Sequence, residues 1–214
     1  LWNFQTGDSV ENYPSVYDNK VYIGGYDRNV YALDLSSGRI EWYFSANSPV
    51  RTDVAVADKI AYFANSEGVL YAITSAKGSY LWSFKAKAGI ETSPALYDDK
   101  IYFGSWDKNI YCLNSKNGRL IWKKKIPSYI GKSSPVIYQD KVIIGSWDKN
   151  VYALNAYTGG LEWSFRTDDW IDKGSPSVGN GHVYIGNKSG NVYAINANTG
   201  VMTVSYTHLT LPTI

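Results

Sequence analysis

Short runs of alternating apolar and polar residues follow one another from end to end of the chain. Arg39-Ile40-Glu41-Trp42-Tyr43-Phe44 sets Ile40, Trp42 and Phe44 on one face and Glu41 and Tyr43 on the other, the period-two pattern of a half-buried strand. Val21-Tyr22-Ile23, Ile101-Tyr102-Phe103 and Val183-Tyr184-Ile185 are β-branched and aromatic runs closed by glycine. Asn29-Val30-Tyr31-Ala32-Leu33 and its copies predict a further strand, and Pro94-Ala95-Leu96-Tyr97 opens a fourth kind. No stretch long enough for a helix carries a 3.6-residue apolar period.

These strands recur in register. Trp2, Trp42, Trp82, Trp122 and Trp163 stand at intervals of 40, 40, 40 and 41 residues. Pro14, Pro94, Pro135 and Pro176 keep the same phase, with Val54 in the vacant slot, and so do Gly24, Gly104, Gly145 and Gly186, with Ala64 in theirs. A period near 40 residues fits a helical repeat or a propeller blade, and the strand chemistry decides. Four short strands per repeat predict an all-β fold, a β-propeller of four-stranded antiparallel blades with five repeats present.

Each repeat carries the segment Ala32-Leu33-Asp34-Leu35-Ser36-Ser37-Gly38-Arg39-Ile40-Glu41-Trp42 or a copy of it. Its glycines, Gly38, Gly78, Gly118, Gly159 and Gly200, are expected to close hairpins at positive φ. Each tryptophan on the following outermost strand is expected to lie against a neighbouring blade's backbone, where alanine leaves room. The pattern Ala-x-Asp/Asn-x-x-Thr/Ser-Gly-x-x-x-Trp resembles the tryptophan-docking motif of the pyrroloquinoline-quinone-type (PQQ-like) β-propellers, and the resemblance runs from residue 1 to about 200. Thr74, Lys77, Cys112, Asn117 and Val204 depart from it. The resemblance implies an innermost proline strand and a ring of seven or eight blades. Five blades could also close, with Leu1 to Phe4 supplying the outer strand that the last repeat lacks around Val204. Residues 1–204 are assigned to the propeller; residues 205–214 match no repeat position and read as a non-repeat tail of foreign origin, or else as a native C-terminal strand.

Composition narrows the function classes. The 214 residues are 44% hydrophobic and 15% aromatic, enough for a sizeable core. A net charge of +2, with no basic run longer than Lys123-Lys124-Lys125, gives no footprint for nucleic acid. No stretch approaches the roughly 18 apolar residues of a membrane span. Cys112 is the one cysteine, in a slot otherwise held by alanine, and reads as a small buried residue. With His182 and His208 the only histidines, neither a zinc site nor a Ser-His-Asp triad is expected. Asp168, Asp169 and Asp172 share one loop, but their spacing matches no calcium loop. No catalytic residue, metal or cofactor is expected from these residues.

Five of the eight tryptophans belong to the motif; Trp106, Trp147 and Trp170 do not. With the proline strand innermost, these three fall in loops of one propeller face, joined by Tyr26 and Tyr129 and flanked by Arg28, Lys108 and Lys149. Loop aromatics beside cations resemble interface anchors. Two readings stay open: a partner-binding face, or fillers tucked under neighbouring loops. The resemblance implies a non-catalytic scaffold that engages a protein, or a glycan, in the periplasm or another extracytoplasmic compartment, like the family members that serve outer-membrane barrel assembly. It also admits a dehydrogenase using the quinone and calcium on alcohols or sugars, and the ligand-sensing ectodomain of a receptor or kinase. Such dehydrogenases carry a vicinal cysteine pair, which this sequence lacks.

Overall fold

The chain is described by a computed structural model over residues 1–206, with side chains described to residue 203. Among the described residues there is no helix. The strands form five four-stranded antiparallel sheets, each a simple meander. The first sheet is β1 (Ser15–Tyr17), β2 (Lys20–Gly24), β3 (Asn29–Asp34) and β4 (Ile40–Ser45). The second is β5 (Ala55–Ala57), β6 (Ile60–Ala64), β7 (Val69–Thr74) and β8 (Tyr80–Lys85), and the third β9 (Ala95–Tyr97), β10 (Lys100–Gly104), β11 (Asn109–Asn114) and β12 (Leu120–Lys125). The fourth is β13 (Val136–Tyr138), β14 (Lys141–Gly145), β15 (Asn150–Asn155) and β16 (Leu161–Arg166), and the fifth β17 (Ser177–Gly179), β18 (His182–Gly186), β19 (Val192–Asn196) and β20 (Met202–Tyr206).

The sheets stack as blades. The three-residue strands β1, β5, β9, β13 and β17 neighbour one another in turn and form the inner rim. Proline immediately before such a strand removes no ladder hydrogen bond. Among the described residues the core comprises four layers, each built from two consecutive blades, and a smaller cluster of Ile23, Tyr31 and Leu33 under Phe4 on the first blade; Val30 and Ala32 of the first blade, for instance, pack with Ala61, Phe63 and Ile73 of the second. A blade therefore buries its faces only against its neighbours, as in other repeat folds.

The motif turn explains its own residues. The Asp34 carboxylate accepts the backbone N–H of Ser36 and Ser37 at 3.1 and 2.8 Å, an Asx turn, and Asn114, Asn155 and Asn196 do the same in later blades. The glycine then takes φ of +65 to +72°, and a register shift follows Ala32 and its copies. Each tryptophan crosses to the next blade. Trp2, Trp42, Trp82, Trp122 and Trp163 donate Nε1–H to the carbonyls of Leu35, Ser75, Ser115, Ala156 and Ala197 at 2.9–3.1 Å. Their rings lie over Gly38, Gly78, Gly118, Gly159 and Gly200 of that blade. The surface that makes room is thus the glycine; the motif alanine instead faces the tryptophan across the strands of its own sheet, as in Ala32 and Trp42.

The ends also differ from expectation. The fifth sheet takes its outer strand from its own repeat, β20, in which Val204, Ser205 and Tyr206 pair with Ala194, Tyr193 and Val192. Leu1 to Phe4 do not supply that strand; Trp2 and Phe4 pack on the first blade. Residues 207–214, the remainder of the segment read as a tail, lie outside the described residues.

Candidate functional site

In each blade the turn after the second strand and the long connection to the next blade emerge at the same end of the propeller, because antiparallel strands alternate direction. In blades three to five these segments bring four aromatic side chains together. Trp106 (β10–β11 loop) meets Tyr129 (β12–β13 loop) at 5.7 Å between ring centroids and Trp147 (β14–β15 loop) at 4.9 Å, edge to face. Trp147 stacks on Trp170 (β16–β17 loop) at 5.8 Å with the planes 14° apart. Trp106 and Trp147 are half-buried, whereas Tyr129 and Trp170 are 40% and 42% exposed. The Lys108 ammonium lies 4.8 Å over Tyr129 and that of Lys188 5.0 Å over Trp170, within cation–π range.

The other sequence-selected residues are placed differently. Tyr26 and Arg28 occupy the corresponding loop of the first blade, where the Tyr26 hydroxyl donates to Glu11 at 2.8 Å under the Arg51 guanidinium. Lys149 is tied to the next loop, donating to the Asp168 carbonyl at 2.9 Å. Arg28, Lys108 and Lys149 share one turn position at φ of +69 to +74°. The loop acids are engaged internally. Asp107 accepts from Tyr111 and Asn109, Asp148 from Tyr152 and Asn150, and Asp168 from Tyr193, Asn191 and Ser189. The Tyr193 hydroxyl, above all, holds the Asp168 carboxyl below its ordinary range. Among the described residues no group of three or more His, Cys, Asp or Glu is placed to hold a metal.

Sequence reading missed the axial side of this face. Three or so residues before each proline slot stands a charged side chain: Glu11, Arg51, Glu91, Lys132 and Lys173. They line two adjoining pockets of about 380 and 420 Å³. Arg51 pairs with both Glu11 and Glu91, and Lys132 reaches Glu11 at 2.9 Å, linking the fourth blade to the first. Hydrogen bonds from Lys132 and Tyr26 hold the Glu11 carboxyl down at about 2. The recurring phase was the available signal, obscured because the position holds acids in some repeats and bases in others. A second ladder lies beneath: Asp53, Ser93 and Ser134 donate backbone N–H to the hydroxyls of Ser93, Ser134 and Ser175 at 2.8–3.0 Å. Cys112 lies away from this face, in the layer between blades three and four, where burial pushes its thiol up to about 12.

Comparison with known proteins follows the same lines. The family model described as outer membrane protein assembly factor BamB matches residues 1–200. Comparison with curated proteins gives no match. Among solved structures, BamB from Moraxella catarrhalis is similar with a TM-score of 0.84 at 16% identity over 97% of this chain. The computationally designed Ika8 protein gives 0.80 at 17% over 92%, and the quinohemoprotein alcohol dehydrogenase ADHIIG from Pseudomonas putida HK5 gives 0.77 at 19% over 95%. At these identities the structures share the fold. This chain spans 67%, 61% and 42% of their respective lengths.

Proposed function

The chain belongs to the family of the outer membrane protein assembly factor BamB, and from that premise we propose that it is a non-catalytic scaffold that holds a protein partner on its aromatic face. The observation that carries the reading is the joined set Tyr129–Trp106–Trp147–Trp170, two members of which remain exposed beside Lys108 and Lys188. Large rigid aromatics with cations at their edge supply contact area at low entropic cost, as interface anchors do. The family name places such a protein at the outer membrane, and we assign this one to the periplasmic side of that membrane. Among the described residues no helix is long and apolar enough to cross a membrane.

A quinone-dependent dehydrogenase is the second reading, supported by likeness to the alcohol dehydrogenase fold. The residues of this span do not fit the quinone. The vicinal cysteines that the resemblance implies are missing, and the single thiol of Cys112 is buried between blades. The axial carboxylates Glu11 and Glu91 are already paired with Arg51 and Lys132.

A photo-crosslinking residue placed at Trp170, and in a second variant at Tyr157, tests the scaffold reading in a cell envelope. Tyr157 lies in the β15–β16 turn at the opposite end of the blade. Crosslinks to barrel-assembly proteins from position 170 and none from 157 are expected. Equal crosslinking from both positions, or none from 170, would remove the aromatic face as the contact.

A further inference from the structure

One aromatic slot of this face lacks the partner that its equivalents have. Tyr26, Trp106 and Trp147 occupy the same repeat position, two residues beyond the glycine that ends the second strand. The Tyr26 hydroxyl donates to the Glu11 carboxylate at 2.8 Å, and Trp147 Nε1–H donates to the Asp172 carboxylate at 2.9 Å. Trp106 Nε1 is buried and has no hydrogen-bond partner. The reason is local. Asp172 follows Ile171 in its loop; in the preceding connection the residue after Ile130 is Gly131, which has no side chain to offer. A buried N–H left unpaired is costly, so an acceptor from outside gains by filling the position.

The surroundings say what kind of acceptor. Trp106 shares its pocket of about 420 Å³ with Lys132 and Lys173. The acids there are committed: Glu11 to Lys132 and Tyr26, Glu91 to Arg51, and Asp172 to Trp147. Lys173 forms no ion pair among the described residues, and Arg51 Nε is a second buried donor without a partner. The unused groups lining this pocket are therefore donors, the one unpartnered buried side-chain acceptor among the described residues, Asn12 Oδ1, lying in the adjoining pocket, and both of the partnered equivalents of Trp106 use a carboxylate. We infer that this pocket takes the carboxylate of an acidic side chain, presented by an extended segment of the partner protein whose adjoining apolar residues lie on Tyr129 and Trp170. This rests on the reading of the face as a protein-binding one and adds the chemistry of the bound segment.

The test uses the capped peptide acetyl-Gly-Pro-Phe-Glu-Pro-Gly-amide and its Gln counterpart, with binding measured by calorimetry and by the indole ¹⁵N–H resonances of the whole chain. The Glu peptide is expected to bind at least about 10-fold more tightly than the Gln peptide, as a charge-assisted bond requires, and to move the Trp106 indole resonance downfield. Trp106→Phe, which keeps a ring in the stack but removes the donor, should bring the two peptides to equal affinity. Lys173→Gln should narrow the difference and weaken its dependence on salt. If the peptides bind equally and both are lost in Trp170→Ala, the carboxylate inference is wrong while the aromatic face stands. If neither binds at millimolar concentration, both fail.

Discussion

The carbonyl oxygen of Ser75 accepts two hydrogen bonds from the preceding blade, from Trp42 Nε1 at 3.0 Å and from the Tyr22 hydroxyl at 3.2 Å. Ser115 and Ala156 repeat the arrangement with Trp82 and Tyr62, and with Trp122 and Tyr102. In the fourth blade Ile143 replaces the tyrosine, and Ala197 receives Trp163 alone. The glycine beneath each indole is the other half of the contact. At Gly159 a Cβ would lie 2.7 Å from Trp122 Cδ2, and φ is +70°. An L-residue in the left-handed region costs about 1–2 kcal/mol before any clash, so Gly159→Ala should destabilise by about 2–3 kcal/mol in urea unfolding. Gly179→Ala, with no atom within 4 Å of the added Cβ, is the control and should be close to neutral. Equal midpoints for the two variants would show that the indole–glycine contact contributes little. The tryptophans and glycines were legible because both recur in one phase along the chain. Their partner was not, because a main-chain carbonyl belongs to every residue and leaves no trace in the sequence.

At the scale of elements, the inner strands are only three residues long, too short to fix the spacing between blades by themselves. The hydroxyl ladder does so across their leading edges. Ser134 Oγ accepts the Ser93 N–H at 2.8 Å, while the Ser134 N–H donates to Ser175 Oγ at 3.0 Å. Ser134→Ala removes the first bond and keeps the second, leaving a partly buried amide unpaired. The expected loss is about 1–2 kcal/mol in chemical denaturation, larger than for an exposed serine such as Ser164 on the outer strand β16. A Ser134→Ala variant as stable as Ser164→Ala would mean that water replaces the hydroxyl. Strand content followed from period-two patterning, and the repeat phase from the spacing of the tryptophans, prolines and glycines; together they gave the four-strand blade. The ladder and the charged axis did not, since serine before proline reads as ordinary turn chemistry until neighbouring blades set it beside its copy. Of the candidate site, the four aromatics were visible as tryptophans and a tyrosine outside the motif. Tyr26 and Arg28 were grouped with them by loop position alone, and three-dimensional placement separates them.

At the scale of the whole molecule, stability in a repeat fold is close to a sum over neighbouring interfaces. The second, third and fourth blades each have two inter-blade layers, and the first and fifth have one. The uncovered faces show it. Val192 and Tyr184 of the fifth blade are 47% and 41% exposed, whereas Val30, Leu70, Ile110 and Val151, in the repeat position of Val192, are fully buried. On the first blade Val16 is 62% exposed, but Trp2 and Phe4 already cover part of the outer region through Gly38 and Tyr31. The two ends are therefore unequal. In hydrogen exchange of this 214-residue span, the amides of β18 and β19 should exchange first, those of β2 and β3 next, and those of β10 and β11 last. Local opening free energies range from near zero up to the global value, so protection factors at the two extremes should differ by at least about 10-fold, since 1.4 kcal/mol suffices for that. Uniform protection across the five blades would mean that the layers open as one unit, and the nearest-neighbour account would fail. Exchange of β2 ahead of β18 would instead show that the seated Trp2 segment does not hold the first blade. That order also bears on function, because Trp170 lies in the connection leading into the fifth blade. Loosening of that blade should free Trp170 from Trp147 before the inner pair of Trp106 and Tyr129 is disturbed.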